Sequence, residues 1–332
     1  MLEQLNTPEI QRIALIIGAI VAITYKNTYN IIPGGVIVPG VLLILFFISP
    51  IWCFTVIALS FLIFWIYNRF LQKASYKSRT PMYILAALSL GLGHPLSLLY
   101  IQWGIMAPTL NSFSGALIPA IIAFTWTRQK MKPVIQGIIV TTFITSAIVI
   151  MIYGVGTQVL RLEFDTIQEM VRGKETLWIR YSLLQFYLML GIGYWIYHRA
   201  DIRSGGYVIA PAAAALLIEP VSALSFVLGC VLVTFITKAV CEASLIIGLN
   251  RYALTLCLST IYIWGVELIF LYFDSTILPF HGSSVLVIIA MLSYVNDSIL
   301  HRDQKVYHYM GITLIAAIVV AFALEMIARL VI

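Results

Sequence analysis

The sequence predicts an all-α polytopic membrane protein of about twelve membrane segments, arranged as two parallel repeats of six. Three observations predict it. The chain is 61% hydrophobic and only 10% charged over 332 residues, where a soluble domain carries roughly 25% charged residues. Long apolar runs recur from one end to the other. A pattern of glycines and prolines in the first half also returns in the second.

Apolar runs fall at about 10–24, 31–48, 50–67, 82–103, 113–126, 134–153, 178–197, 206–218, 220–237, 252–273, 283–295 and 310–331. Most approach the ~20 residues needed to cross ~30 Å of hydrocarbon. The runs at 113–126, 206–218 and 283–295 are short. A short helix needs a non-helical extension, local thinning or a re-entrant path. The N-terminal stretch MLEQLNTPEIQR carries Glu3 and Glu9 where a secretory signal would be basic, so the run after it reads as the first span.

Charge sets the number of crossings. With all twelve runs crossing and the N-terminus outside, the inner loops hold Lys26, Arg69, Lys73, Lys77, Arg79, Arg128, Lys130, Lys132, Arg199, Arg203, Lys238, Arg251, Arg302 and Lys305. That is 14 of the 20 Lys and Arg, as the positive-inside rule requires. Ten crossings, with two compensating re-entrant segments, is the alternative. The longest outer loop, Gly154 to Trp178, spaces its apolar residues as a surface-lying amphipathic helix would. It divides the chain into a first membrane repeat at 1–155, a linker at 156–177 and a second repeat at 178–332.

The run at 31–48 opens IIPGGVIVPG, so Pro33, Gly34, Gly35, Pro39 and Gly40 crowd its first ten residues. These residues break helices. The second half answers with RSGGYVIAP, placing Gly205, Gly206 and Pro211 after Arg203. Gly34–Gly35 and Gly205–Gly206 are 171 apart, Pro50 and Pro220 are 170 apart, and Arg128 and Arg302 are 174 apart. Six crossings per half give both halves the same orientation.

A broken span leaves backbone polar groups at membrane depth, and helix N-termini there suit carboxylates or phosphates. The candidate substrate path is therefore Gly34, Gly35, Pro39, Gly40, Arg203, Gly205, Gly206 and Pro211. Tight helix packing by small residues is the competing explanation. Ionisable groups within apolar runs mark functional interiors. Glu267 in YIWGVELIF is placed mid-span and paired with His94 in LGLGHPLSL at an offset of 173. A protonated, hydrogen-bonded glutamate and a capped histidine are the alternative. Glu219 reads as interfacial, and Glu325 and Arg329 as a local ion pair. Arg69, Lys73, Lys77, Arg79 and Arg128 form a cytoplasmic surface for an anion or an acidic partner. The topology rule alone also asks for them.

The four cysteines, Cys53, Cys230, Cys241 and Cys257, form no CxxC pair and read as small apolar residues. No P-loop, GxGxxG, HExxH or GxSxG motif is present. The chain is thus expected to hold no catalytic site, metal or cofactor of its own, and to bind no nucleic acid.

The stretches IIPGGVIVPGVLLILF at 31–46 and SGALIPAIIAFTWTRQKMKPVIQGIIVTTFITSAIVIM at 114–151 resemble the CapC/PgsC family, the small membrane subunit of bacterial poly-γ-glutamate synthase. The stretch at 203–211 resembles it more loosely, so the whole reads as a fused tandem pair. The resemblance implies a subunit of the bacterial inner membrane that partners a cytoplasmic ATP-dependent amide ligase, and further membrane or extracytoplasmic subunits, in making or exporting an anionic amide-linked polymer. A stand-alone proton-coupled transporter of a small anion, using Glu267 and His94, is the second expectation. An integral membrane transferase is a third.

Overall fold

A computed structural model describes residues 7–72, 80–105, 110–159, 179–200 and 220–273, with scattered positions beyond. The described residues are mostly helical. The chain splits into two compact units, Met1–Met170 and Val171–Ile332.

Helix α1, Pro8–Tyr29, begins on a cap that its sequence dictates. Thr7 is extended, its hydroxyl accepts from the Ile10 N–H at 3.4 Å, and Pro8 fills a position where no N–H is needed. The helix ends on Asn30, whose φ of 56° is left-handed and whose N–H bonds the Lys26 carbonyl at 2.8 Å. Glu9 in the first turn and Lys26 in the last complement the helix dipole.

Residues 31–37 are not helical. The run expected over 31–48 therefore becomes a helix only at α2, Val38–Ile48. Eleven residues rise about 16 Å. α2 is buried on nearly every side: Val38 through Leu45 and Phe47 are all covered. It packs against α1, α3 (Pro50–Ile66), α5 (Leu110–Arg128) and α6 (Met131–Gln158). Phe46, in contrast, is exposed. Ser49 closes α2 and opens α3 without a linker. Its N–H bonds the Leu45 carbonyl, and its hydroxyl caps the Trp52 N–H at 3.3 Å. The Cys53 thiol donates back to the Leu42 carbonyl at 3.4 Å. A π-helical turn, Tyr67–Leu71, continues α3.

Contacts at identifiable levels fix the helix directions in the first unit. Gly18 and Gly40 abut, with Ala14 and Leu15 beside Gly40, so α2 runs back along α1. The start of α3 meets the end of α4 (Thr80–Gln102) through the Thr55 and Tyr100 hydroxyls at 2.9 Å and a Trp52–Tyr100 edge contact at 5.7 Å. Phe61 and Phe64 of α3 hold Trp126 of α5 at 4.6 and 5.6 Å. Gly137 of α6 lies against Tyr25 and Pro33. The extended segment and α2 together thus travel the length of the bundle, half unwound and half helical.

In the second unit, α7 spans Ile179–Ala200, α8 Pro220–Ser244 and α9 Leu249–Tyr272. α8 and α9 pack as a hairpin: the Tyr262 hydroxyl donates to the Ser225 carbonyl at 2.6 Å, and its ring lies over Gly229. Among the described residues, five helices are long and apolar enough to cross a membrane by length and composition: Pro50–Leu71, Thr80–Gln102, Met131–Gln158, Leu224–Ser244 and Leu249–Tyr272. Their outward faces are apolar, with Phe54, Phe143, Met151, Val231 and Phe235 all exposed. A face of that kind suits lipid.

The α3–α4 and α8–α9 hairpins share many buried positions 170 residues apart. On α4 these are Tyr83, Leu85, Ala86, Ser89, Leu90, Gly93 and Ser97; on α9 they are Ala253, Thr255, Leu256, Ser259, Thr260, Ile263 and Glu267. Val56, Leu59, Ile63 and Tyr67 on α3 correspond in the same way to Phe226, Gly229, Val233 and Thr237 on α8. At an offset of 170, Glu267 would stand opposite Ser97, whereas the Gly and Pro spacings of the sequence pair it with His94 at 173. Glycine and proline matches place a register only to within a few residues. Burial on a helix face repeats every 3.6 residues and places it more finely.

Candidate functional site at the unwound segment

The unwound segment is built by two glycines that no other residue replaces easily. Gly34 has a φ of 72° and Gly35 a φ of 141°. The second value is one that side-chain-bearing residues rarely adopt. Pro33 sits at the centre of a three-residue turn closed by the Gly34 N–H on the Ile32 carbonyl at 2.9 Å.

Thr125 of α5 and Gln129, the residue just past its end, hold the segment in place. The Thr125 hydroxyl lies 2.8 Å from the Gly34 carbonyl, and the Gln129 side-chain oxygen accepts from the Ile32 N–H at 3.1 Å. Thr125 also lies 3.0 Å from the Ile121 carbonyl of its own helix. Apolar side chains close the rest: Ile138 and Val38 over Gly34, and Ile121 over Gly35. Pro33, Gly34 and Val36 are buried. Exposed backbone polar groups at this depth find partners in protein, as an apolar surrounding demands.

Thr125→Val keeps the shape and removes the donor. An unsatisfied buried acceptor costs about 1–3 kcal/mol. The expected result is a clear fall in melting temperature of the detergent-purified protein, with Thr125→Ser close to wild type. Equal melting temperatures for the Val and Ser variants would show that the bond does not hold the segment.

Pro39 and Gly40 stand in the first turn of α2, and Gly40 packs on the backbone of α1. The N-terminal turn of α2 is therefore covered by α1 at Gly40. The basic residues gather at the end of the bundle nearest the unwound segment: Lys26 ends α1, Arg69 ends α3, Arg128 ends α5, and Lys130 and Lys132 start α6. Arg69, Arg128, Lys130 and Lys132 are exposed. The Arg128 guanidinium rests over the Phe124 ring at 4.4 Å. Lys73, Lys77 and Arg79 lie outside the described residues, as do Arg203, Gly205, Gly206, Pro211, Glu219, Glu325 and Arg329.

His94 is half-buried in α4, and its carbonyl accepts from the Ser97 hydroxyl at 2.8 Å. Glu267 is fully buried in α9 at 0% exposure. It lies five residues before the end of that helix at Tyr272, so it sits toward one end of α9 and not at mid-span as expected. The two belong to different units. Cys53 is buried, whereas Cys230, Cys241 and Cys257 are partly exposed, and all are free thiols.

Sequence reasoning missed five residues here. Thr125 was an unremarkable member of a helix, Gln129 lay just past its end, and Gly18 was an isolated glycine in the first span. Arg12, counted among the span-end cations, is 1% exposed, and Glu9 is 5% exposed. A single sequence does not signal the contacts of Thr125, Gln129 and Gly18, because each is made across about 20 to 100 residues.

An all-helical unit with lipid-suited outer faces, and a buried segment unwound at two glycines, defines a helical membrane protein with a discontinuous inner element. Residues 17–135 match the family model of capsule biosynthesis CapC, and the chain carries a CapC domain over that stretch. The match covers the unwound segment, α2, Thr125 and Gln129, and it lies within the first unit. Comparison with curated proteins found no match, and comparison with solved structures found none either.

Proposed function

We propose that this chain is a non-catalytic, multi-pass subunit of the bacterial inner membrane, in a complex that makes or exports a poly-γ-glutamate-type anionic polymer. The CapC domain at 17–135 carries this reading, since that family belongs to capsule biosynthesis. The partner is a cytoplasmic ATP-dependent amide ligase, which supplies the chemistry for which the sequence has no motif. The second unit is a diverged copy of the first, and the burial pattern common to α3–α4 and α8–α9 supports that reading.

The test is deletion of the gene and complementation with a tagged chain. Loss of cell-bound anionic polymer, its return with the tagged chain, and recovery of an ATP-dependent ligase on the tag are the expected results. Unchanged polymer together with lost uptake of a small anion would replace this reading with that of a stand-alone transporter.

A further inference from the structure

From Ile10 through Leu162 the sequence contains no Asp or Glu, a run of 153 residues. Ten Lys and Arg lie in the first unit, Met1–Met170, against five acids: Glu3, Glu9, Glu163, Asp165 and Glu169. The second unit also has ten Lys and Arg, but with nine acids. There, Asp201 stands near Arg203, Glu242 follows Lys238, and Asp303 lies between Arg302 and Lys305.

Membrane topology does not account for this difference. The positive-inside rule asks for Lys and Arg in cytoplasmic loops, and Asp and Glu contribute little to it. Both units satisfy it, yet only one excludes acids. Anionic lipid headgroups would favour basic loops in either unit alike. The remaining cause is specific to the first unit: something strongly anionic approaches its basic end, and a carboxylate there would repel it.

The geometry suits a chain with repeated charges. Arg69, Arg128, Lys130 and Lys132 are exposed on three separate helices around the unwound segment, with Lys26 on a fourth. A single small anion meets one or two such cations. A polyanion meets them together, and each contact raises the effective concentration for the next.

We infer that the acid-free end of the first unit, centred on Arg69, Arg128, Lys130 and Lys132, is a docking surface for a polycarboxylate chain. This rests on the proposed function and names the surface on which the polymer is handled. Lys73, Lys77 and Arg79 extend the same run of cations in sequence.

The experiment uses the full chain in nanodiscs of zwitterionic lipid and fluorescent polyglutamate read by anisotropy. Binding is expected to weaken steeply with salt. The variant R69Q/R128Q/K130Q/K132Q, which leaves Lys26, Lys73, Lys77 and Arg79 to hold the topology, is expected to bind roughly 100-fold more weakly. The variant K238Q/R251Q in the second unit is expected to bind as wild type does. Equal loss in both variants, displacement by glutamate monomer, or binding of an acidic soluble protein but not of polyglutamate would each overturn the inference. A wild-type melting temperature for the quadruple variant excludes misfolding as the cause. If polymer production depends on the chain but polyglutamate binding ignores the four cations, the docking surface fails and the function stands. If binding maps to them but cells without the chain still make polymer, the function fails.

Discussion

Gly40→Ala is expected to unseat α2 and leave little folded protein. Within a helix this change normally stabilises by about 1 kcal/mol, because alanine is the better helix former. Here the sign reverses. A Cβ on Gly40 would stand 2.6 Å from the Ala14 carbonyl oxygen and 2.9 Å from the Leu15 Cα. A Cβ on Gly18 would stand 2.5 Å from the Gly40 nitrogen. Both neighbours are backbone, so no rotamer change relieves the clash. Overpacking of cores costs typically 1–3 kcal/mol, and a clash of backbone on backbone belongs at the upper end. α2 is wrapped by four helices, so a shift of α1 from α2 disturbs them all. Melting of the detergent-solubilised protein, followed by size-exclusion fluorescence, reads the effect. Gly154→Ala and Gly265→Ala, where a Cβ meets nothing within 4 Å, are the controls and should melt at or above wild type. A Gly40→Ala protein that melts with the controls would mean that the helices are not in backbone contact.

The second large effect is expected from Gly34→Leu combined with Gly35→Leu. Both backbones are left-handed or beyond, which costs a side-chain-bearing residue about 1–3 kcal/mol at each position. Contact adds to strain. A Cβ on Gly34 meets the Ile138 and Val38 side chains at 3.1 Å, and one on Gly35 meets Ile121 at 3.0 Å. The variant should still reach the membrane, because the apolar helices are untouched, but polymer production should be lost. Gly34→Asn separates the causes. Asparagine tolerates the left-handed region, so a milder loss marks strain, and a full loss marks contact. Wild-type melting and wild-type polymer from the double leucine variant would refute the structural account of the segment.

Why some of this was legible follows from how each feature is encoded. The break at Pro33-Gly34-Gly35 was readable because it depends on the backbone freedom of those residues themselves. The start of α2 at Val38 was less so: Ile31 and Ile32 are apolar enough to be helical, and their unwinding depends on Thr125 and Gln129, about a hundred residues away. Gly40 carried two readings in the sequence, a substrate path or tight helix packing, and its smallness here admits the backbone of α1. Glu267 was recognised as unusual because one carboxylate in an apolar run is conspicuous. Its pairing with His94 rests on Gly and Pro spacings, which do not carry the burial face of each helix.

The half-unwound passage also bears on how the protein is made. Chain synthesis delivers α1, the loose segment and α2 to the bilayer well before Thr125, Gln129, Gly137 and Ile138 exist. Until those residues emerge, the Ile32 N–H and the Gly34 carbonyl lack the partners that satisfy them in the finished protein. Lipid tails offer no substitute. An eleven-residue helix is also too short to hold its place across the hydrocarbon alone. The first unit therefore inserts with one member unfinished, sheltered at a protein or water interface, and locks only when α5 and α6 arrive. Its biogenesis has two stages, and the second waits on the last third of the unit.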